Sequence, residues 1–156
     1  MEIRDAAPAD APAIAALWHA GWHGAHARIV PPALLPHRDA ASFAARARRD
    51  APRMRVADGP GAPLGFHLVA GDELDQLYVA PAGRGTGLAL RLIRDAEARI
   101  RGAGHARARL ICAVGNDRAA AFYRKAGWEE AGEVDGRVEA GGGRFVLPCI
   151  RFERVI

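Results

Sequence analysis

The stretch Leu77–Ala89, LYVAPAGRGTGLA, is the most informative part of this sequence. It begins as a short β-type run that stops at Pro81, passes through a turn with three glycines and continues directly into an apolar, helix-like segment. Glycine allows positive φ and lets a ligand approach the backbone with no Cβ in the way. The first turn of the helix then presents unpaired N–H groups and the positive end of the helix dipole. The stretch therefore predicts a strand–turn–helix unit that binds an anion, most suitably phosphate or pyrophosphate.

Segments on both sides of this unit predict an α/β (α+β) fold with a mixed, mostly antiparallel sheet flanked by helices. The helix that follows the turn acts as a crossover, so the next strand should run parallel to the strand before the turn. The expected order is β-α-α-β-β-β-α-β-α-β-β. We expect strands over 2–6, 53–57, 64–70, 73–79, 110–114, 128–134 and 144–153, helices over 10–21, from Asp39 or Ser42 to about 50, from 88 to 102 or 104 and over 116–126, and a loose glycine connection over 141–143.

Length and composition predict one ordinary domain over residues 1–156. The two cysteines, Cys112 and Cys149, show no metal-binding or CxxC spacing, and we interpret both as reduced core thiols. The N-terminus lacks the apolar stretch of a signal peptide, and no run approaches the ~20 apolar residues of a membrane helix. We therefore expect a cytoplasmic protein that has no membrane partner.

The formal net charge is +4, and Lys125 is the only lysine. Basic charge can indicate a nucleic-acid partner. Here the arginines are scattered among Ala, Asp and Glu on what read as solvated helix faces, and no aromatic platform accompanies them. The pattern argues against nucleic-acid binding.

His19 and His23 stand one helical turn apart, with His26 close behind. A zinc site needs three or four converging ligands and supporting carboxylates. We expect Gly21 and Gly24 to interrupt this helix, and no cysteine or glutamate is near. The sequence therefore predicts no metal site.

The glycine turn also differs from two common phosphate-binding motifs. A P-loop requires a Gly-Lys-Ser/Thr end, and the turn contains no lysine. A dinucleotide-binding turn lies early in a βαβ chain, with an acidic residue about 20 positions on. This turn follows four predicted strands, and Gly104 and His105 occupy the region of that offset. An acyl-CoA pyrophosphate fits its placement better.

Two motifs in this order resemble the GNAT N-acetyltransferase superfamily over essentially the whole chain. The segment 84–89, RGTGLA, is similar to the family signature Gln/Arg-x-x-Gly-x-Gly/Ala. The segment 116–128, NDRAAAFYRKAGW, is similar to the second motif, Asn-x-x-Ala-x-x-Phe-Tyr-x-x-x-Gly-Phe/Trp. A helix and a strand separate them, as the resemblance requires.

The resemblance implies acetyl-CoA as the co-substrate and no metal. Backbone N–H groups of the signature would bind the pyrophosphate, and the preceding strand would pair with the pantetheine arm. Arg84 would either help to neutralise phosphate or face solvent. Asn116 could cap its helix, bond the cofactor arm, or do both. The implied cofactor-binding residues are Leu77, Tyr78, Val79, Arg84, Gly85, Thr86, Gly87, Leu88, Ala89 and Asn116.

For catalysis, the resemblance implies that Tyr123 protonates the departing CoA thiolate, and we favour this role over the alternative of a core tyrosine packed beside Phe122. A carboxylate on the strand before the turn would act as general base. We expect Glu73 in this role with Asp75 second, and the acidic pair would also attract a cationic amine substrate. The alternative is a solvated acidic turn without a catalytic role. Strand alternation places both on one face and Asp72 on the other. Trp22 and His26 either pack or line the substrate side.

The resemblance implies an N-acetyltransferase, and we expect it to transfer an acetyl group to a primary amine of a small molecule by direct attack in a ternary complex. The alternatives are acetylation of a protein or peptide at a lysine or N-terminus, or a non-catalytic acyl-CoA sensor. Cys112 is a poor candidate for a covalent intermediate because no base accompanies it in sequence. Homodimers are common in the family, and no feature of this sequence specifies an oligomeric state.

Overall fold

The computed structural model describes every residue from Met1 to Ile156 and contains one seven-stranded sheet with helices on both faces. The mixed, mostly antiparallel sheet predicted from the sequence is confirmed. The elements are β1 (Ile3–Asp5), α1 (Ala11–His26), α2 (Ala40–Asp50), β2 (Met54–Ala57), β3 (Gly65–Ala70), β4 (Glu73–Val79), α3 (Leu88–Gly102), β5 (Arg107–Ala113), α4 (Asp117–Lys125), β6 (Glu129–Ala140) and β7 (Gly143–Val155), with short 3₁₀ segments between several of them.

The strands follow the order β1-β2-β3-β4-β5-β7-β6, and only β4 and β5 run parallel. Helices α1 and α2 pack on one face around Trp18, Phe43 and Phe66, and α3 and α4 pack on the other around Ile93 and Phe152. Successive strand residues point to opposite faces, so each strand contributes to both cores. None of the four α-helices combines the length and hydrophobicity needed to cross a bilayer.

Helix α1 does not end near Gly21 as predicted but continues through Gly24 to His26. The reason lies in packing against β4. A Cβ at Gly21 would lie 2.5 Å from Cδ1 of Tyr78. Glycine here allows the helix to approach an aromatic ring, and the expectation that the two glycines interrupt the helix was wrong.

Strands β4 and β5 form an open edge. Along β3, Leu68 pairs with Gln76 and Val69 pairs with Leu74, so Asp75 is an extra residue that forms a β-bulge on β4. The only residue pair between β4 and β5 is Glu73 with Arg109, and beyond it the two strands separate. The sheet therefore has a wedge-shaped gap along the second half of β4.

The backbone orientation along this gap follows from the pairing with β3. The N–H of Ala80 donates to the carbonyl of Leu64, on the β3 side. Because backbone groups alternate sides along an antiparallel strand, the N–H and C=O groups of Leu77 and Val79 point to the β5 side, where no strand pairs with them.

The C-terminal hairpin is longer and tighter than predicted. Ala140 pairs with Gly143 across a turn made by Gly141 and Gly142, both with positive φ, so the segment expected to be loose is a two-residue hairpin turn. Near its tip, the rings of Phe145 and His37 lie 6.0 Å apart. The hairpin therefore reaches the segment between α1 and α2. Elsewhere the main difference is in β5, which begins at Arg107 and not at the predicted residue 110. The prediction missed the first three residues because arginines alternate there with the apolar pattern.

Candidate active site

A cleft of about 1320 Å³ follows the open edge between β4 and β5. At one end it is bounded by the glycine turn and the start of α3, at the side by α4, and at the other end by α1, α2 and the β6–β7 hairpin. Every site residue predicted from the sequence lines this cleft except Thr86, whose hydroxyl donates to the carbonyl of Gly83 within the turn. The residues that line it are Trp22, His26, Glu73, Asp75, Leu77, Tyr78, Val79, Arg84, Gly85, Gly87, Leu88, Ala89, Asn116 and Tyr123.

The glycine turn presents a row of free donors to the cleft. Gly85 and Gly87 have φ of 72° and 80°, and Gly87 directly precedes α3. The first bond of the helix runs from the N–H of Arg91 to the carbonyl of Gly87, and no backbone acceptor takes the N–H groups of residues 85–90. Free N–H groups at a helix start, together with the helix dipole, form an anion-binding site.

Arginines reinforce this end of the cleft. Arg84 lies in the glycine turn and Arg118 in the first turn of α4, and both line the cleft. Neither has a carboxylate within 4.0 Å. Their charges are therefore available to an anionic ligand.

Asn116 precedes α4, as predicted, but its side chain makes no capping hydrogen bond. Asn116 lines the cleft just after β5 ends. The capping role suggested by its position is absent, which leaves the amide free to bond a ligand.

Tyr123 lies on the side of α4 that faces the cleft. Its ring packs between Phe122 and Phe152, with both centroid distances at 5.6 Å. Burial raises the pKa of the Tyr123 phenol above its usual range, so the hydroxyl stays protonated at neutral pH. The C-terminal end of α4 is fixed by Gly127, whose φ is 91°, and by the bond from the N–H of Trp128 to the carbonyl of Tyr123.

The two candidate bases differ in their partners. Glu73 forms an ion pair with Arg109 at 3.2 Å, and the same guanidinium bonds Asp72 at 3.0 Å. Asp72 precedes β4, and the bulge at Asp75 interrupts the regular alternation from which the faces of the three side chains were predicted. Asp75 has no arginine within ion-pair distance, and its closest bond is a 3.5 Å contact from the amide of Gln76. Burial raises the pKa of both Glu73 and Asp75.

Two functional candidates were missed from the sequence: the side chain of Tyr78 and that of Arg46. The phenol of Tyr78 packs against Phe66, at 5.9 Å, on the α1 and α2 side of the cleft. Arg46 projects from α2 with its guanidinium carbon 4.2 Å from the centre of the Trp18 ring. The spacing of Ser42, Arg46 and Arg49 on one helix face was a signal that could have identified this part of the site.

Aromatic rings form one wall. The rings of Trp22 and His26 stack with centroids 5.2 Å apart, and Nδ1 of His26 bonds the carbonyl of Trp22. Burial lowers the pKa of His26, which favours the neutral ring. Nε2 of His23 bonds the carbonyl of Arg38 instead of converging with His26.

Both cysteines are free and buried, as predicted. They line the cleft from neighbouring strands but belong to the cores on opposite faces of the sheet. Burial raises the pKa of the Cys112 thiol to about 11. A thiol in that state is a poor nucleophile at neutral pH.

The comparisons with known proteins agree with this architecture. A model of the acetyltransferase (GNAT) family matches residues 21–128. A GCN5-related N-acetyltransferase structure from Rhodopseudomonas palustris is 25% identical and superposes with a TM-score of 0.76, covering 99% of this chain and 95% of that one. No curated protein sequence is significantly similar to the chain.

Two further solved structures share the fold. The ribosomal-protein-alanine N-acetyltransferase from Brucella melitensis is 23% identical, with a TM-score of 0.71 and complete coverage of both chains. The PaiA N-acetyltransferase from Thermoplasma acidophilum, solved in complex with coenzyme A, is 18% identical, with a TM-score of 0.69 and coverage of 99% and 98%. The family match spans more than half of the sequence and includes the glycine turn and α4. The chain belongs to the GNAT family of acetyltransferases.

Proposed function

We propose that this protein is an acetyl-CoA-dependent N-acetyltransferase that acetylates the primary amine of a small molecule by direct attack on the thioester. The observation that carries the proposal is that two backbone features lie next to each other along the same cleft. They are the free N–H groups of residues 85–90 and the unpaired edge of β4 at Leu77 and Val79. Together they provide binding groups for a long ligand with an anionic end and an amide-containing arm.

Acetyl-CoA has that shape. Its pyrophosphate would accept hydrogen bonds from the glycine turn, with Arg84 and Arg118 adding positive charge. Its pantetheine amides would pair with Leu77 and Val79 as an added strand, since these backbone groups face the gap. The amide of Asn116 would bond the arm from the opposite side of the wedge.

The thioester would then lie where β4 and β5 begin to separate, near the bulge. The amine must lose a proton before attack, and we propose Asp75 as the base ahead of Glu73. Asp75 has no competing ion pair, whereas Glu73 is engaged by Arg109. A raised pKa makes the Asp75 carboxylate a better proton acceptor than an ordinary aspartate.

Attack on the carbonyl produces an oxyanion and then a thiolate. A free backbone N–H on the open edge of β4, at the end nearest the bulge, would stabilise the oxyanion. The Tyr123 hydroxyl, protonated at neutral pH, would donate its proton to the sulfur as the C–S bond breaks. The raised pKa of Cys112 argues against an acetyl-cysteine intermediate and supports direct transfer.

Enclosure of the acceptor end favours a small molecule over a protein segment. The β6–β7 hairpin contributes Arg137 and Val138 to the cleft, and its tip contacts the segment between α1 and α2 through Phe145 and His37. A peptide acceptor requires an open groove across this region, and a contact across it supports a small acceptor instead.

The test is release of free thiol from acetyl-CoA in the presence of a panel of primary amines, with the acetylated product identified by mass spectrometry. We expect release that depends on an amine and saturates with it. Binding of acetyl-CoA without amine-dependent release from any member of a broad panel would support the non-catalytic sensor instead.

A further inference from the structure

The acceptor end of the cleft contains positive charge that the chain itself does not neutralise. Arg38 and Arg46 both line it, and neither has a carboxylate within 4.0 Å. The two guanidinium groups lie close enough for Arg38 to lower the pKa of Arg46. Like charges held together inside a protein are costly unless an anion lies with them.

Arg46 is half-buried and forms no ion pair with a carboxylate. Its guanidinium carbon lies 4.2 Å from the centre of the Trp18 ring and 5.2 Å from that of Phe43, which fixes the plane of the group. Its Nη1 is buried with no hydrogen-bond acceptor in the chain. Burial lowers the pKa of Arg46 to about 10, so it remains charged at neutral pH.

A second buried polar group without a hydrogen-bond partner lies one helical turn from Arg46. The Oγ of Ser42 is buried without a partner, and Ser42 and Arg46 occupy i and i+4 positions on the face of α2 that lines the cleft. A hydroxyl and a planar guanidinium on one helix face suit the two oxygens of a carboxylate or of a phosphate.

The opposite charge lies nearby on β4. Asp75 is near enough to influence the pKa of Arg46, and the charge of Arg46 opposes part of the rise that burial causes in the pKa of Asp75, yet the two form no ion pair. The cleft therefore offers a cation site and an anion site side by side, against the apolar surfaces of Tyr78 and Trp22.

From this arrangement we infer that the acceptor is a zwitterion: a primary amine whose molecule also carries an oxyanion group, with the ammonium at Asp75 and the oxyanion at Arg46, Arg38 and Ser42. Because the two sites are neighbours, the simplest such molecule is an α-amino acid, whose amine and carboxylate are attached to one carbon. This inference rests on the proposed function, because it names the substrate class of the same site.

The experiment compares matched amines in the thiol-release assay: phenylalanine with 2-phenylethylamine, leucine with isoamylamine, and ethanolamine phosphate with ethanolamine. We expect kcat/KM for the oxyanion-bearing member of at least one pair to exceed that of its partner by about tenfold or more, the value of one charge-assisted bond. The first two pairs report on carboxylates and the third on phosphate.

Variants of α2 test whether Arg46 causes the preference for oxyanion-bearing amines. Arg46→Gln should remove the preference and leave the Kd for acetyl-CoA unchanged, whereas Arg46→Lys, which keeps the charge, should retain part of it. Arg48→Gln is the matched control, because Arg48 lies on the same helix but is exposed and outside the cleft. A thermal melt of each variant separates loss of preference from loss of folding.

The outcomes are distinct. Amine-dependent release in which the simple amines react as well as their oxyanion-bearing partners overturns this inference and leaves acetyl transfer standing. A preference that survives in Arg46→Gln overturns the assignment to Arg46. Acetyl-CoA binding with no release of thiol in the presence of any of the six amines and of a broad amine panel overturns the proposed function as well.

Discussion

Tyr123 and Tyr78 place two phenols in one cleft, and their surroundings point to different roles. Tyr123 lies on α4, the helix that begins beside the open edge of β4, and is proposed as the proton donor to the thiolate. Tyr78 faces the α1 side and packs against Phe66. Burial raises the pKa of both, so neither ionises at neutral pH.

Tyr123→Phe should lower kcat by about 10²-fold, the usual contribution of a positioned acid, with little change in the Kd for acetyl-CoA. The matched variant Tyr78→Phe removes the other phenol in the cleft and should leave kcat within a few-fold of the wild type. Steady-state kinetics with titration of the cofactor distinguishes the two. An unchanged kcat in Tyr123→Phe would remove this residue from the chemistry.

The two carboxylates on β4 predict that kcat/KM decreases at acidic pH. A base works only when deprotonated, and burial raises the pKa of Asp75, so kcat/KM should fall as the pH drops through a value above the ordinary aspartate range. Asp75→Asn should lower kcat/KM by about 10²-fold and abolish this acidic limb. Glu73→Gln should retain the limb; if it is the variant that loses it, Glu73 is the base.

For single residues, the sequence motifs identified which side chains belong to the site but not which residues they contact in the fold. Tyr123 and Asn116 were found because their spacing repeats a family pattern. The choice between Glu73 and Asp75 depended on Arg109, which lies on another strand and pairs with Glu73 only because β4 and β5 meet at that point. Arg46 was hidden among many arginines, since its distinguishing contact with Trp18 is made between two helices.

Among the elements, the strand–turn–helix unit of β4 and α3 carries the cofactor hypothesis. Its two glycines with positive φ line the cleft and have open space where a Cβ would stand, so an added methyl group would meet no other residue of the chain. A glycine of the same kind lies outside the cleft: Gly61 has φ of 85°, and no atom lies within 4 Å of the place that a Cβ would occupy there.

Gly85→Ala and Gly61→Ala therefore form a matched pair. Each should reduce the free energy of unfolding by about 1 kcal/mol, the cost of a left-handed conformation for an L-residue. Only Gly85→Ala should also raise the Kd for acetyl-CoA, by about tenfold. Chemical denaturation and cofactor titration measure the two effects separately. Equal Kd values for the two variants would place the pyrophosphate elsewhere.

Element order, the parallel strand pair and the exact span of β4 were predictable because apolar periodicity and turn residues are local signals. The ends of α1 and of the C-terminal hairpin were not. Gly21 reads as a helix breaker until the ring of Tyr78 is known to lie against it. The bulge at Asp75 depends on pairing with β3, which a single strand's sequence does not reveal.

Across the whole molecule, ion pairs bind helices and strands together and set the response to acid. Asp95 on α3 bonds His67 and Arg55 at 2.7 and 2.8 Å, and Asp50 at the end of α2 bonds Arg49 and Arg53. The pKa of each carboxyl lies below its ordinary value, because these hydrogen bonds outweigh the effect of burial. Such groups contribute stability above their unfolded-state pKa and lose it as the pH falls through the folded-state value.

We therefore expect the free energy of unfolding to be near its maximum at neutral pH and to fall below about pH 4. Asp50→Asn should reduce it by about 1–2 kcal/mol at pH 7, the value of hydrogen bonds to a charged group. At pH 3 the difference from the wild type should shrink, because Asp50 is then approaching protonation. Urea titrations at both pH values check this, and a pH-independent difference would show that Asp50 acts through packing alone.

The central claim is that the open edge of β4 and the glycine turn bind acetyl-CoA, and calorimetric titration of acetyl-CoA into the protein tests it most directly. Free CoA and NAD serve as comparisons, since NAD shares the adenosine and pyrophosphate but lacks the pantetheine arm. We predict micromolar binding of acetyl-CoA and CoA with no heat from NAD. No heat from either CoA species, or equal binding of NAD, would contradict the claim.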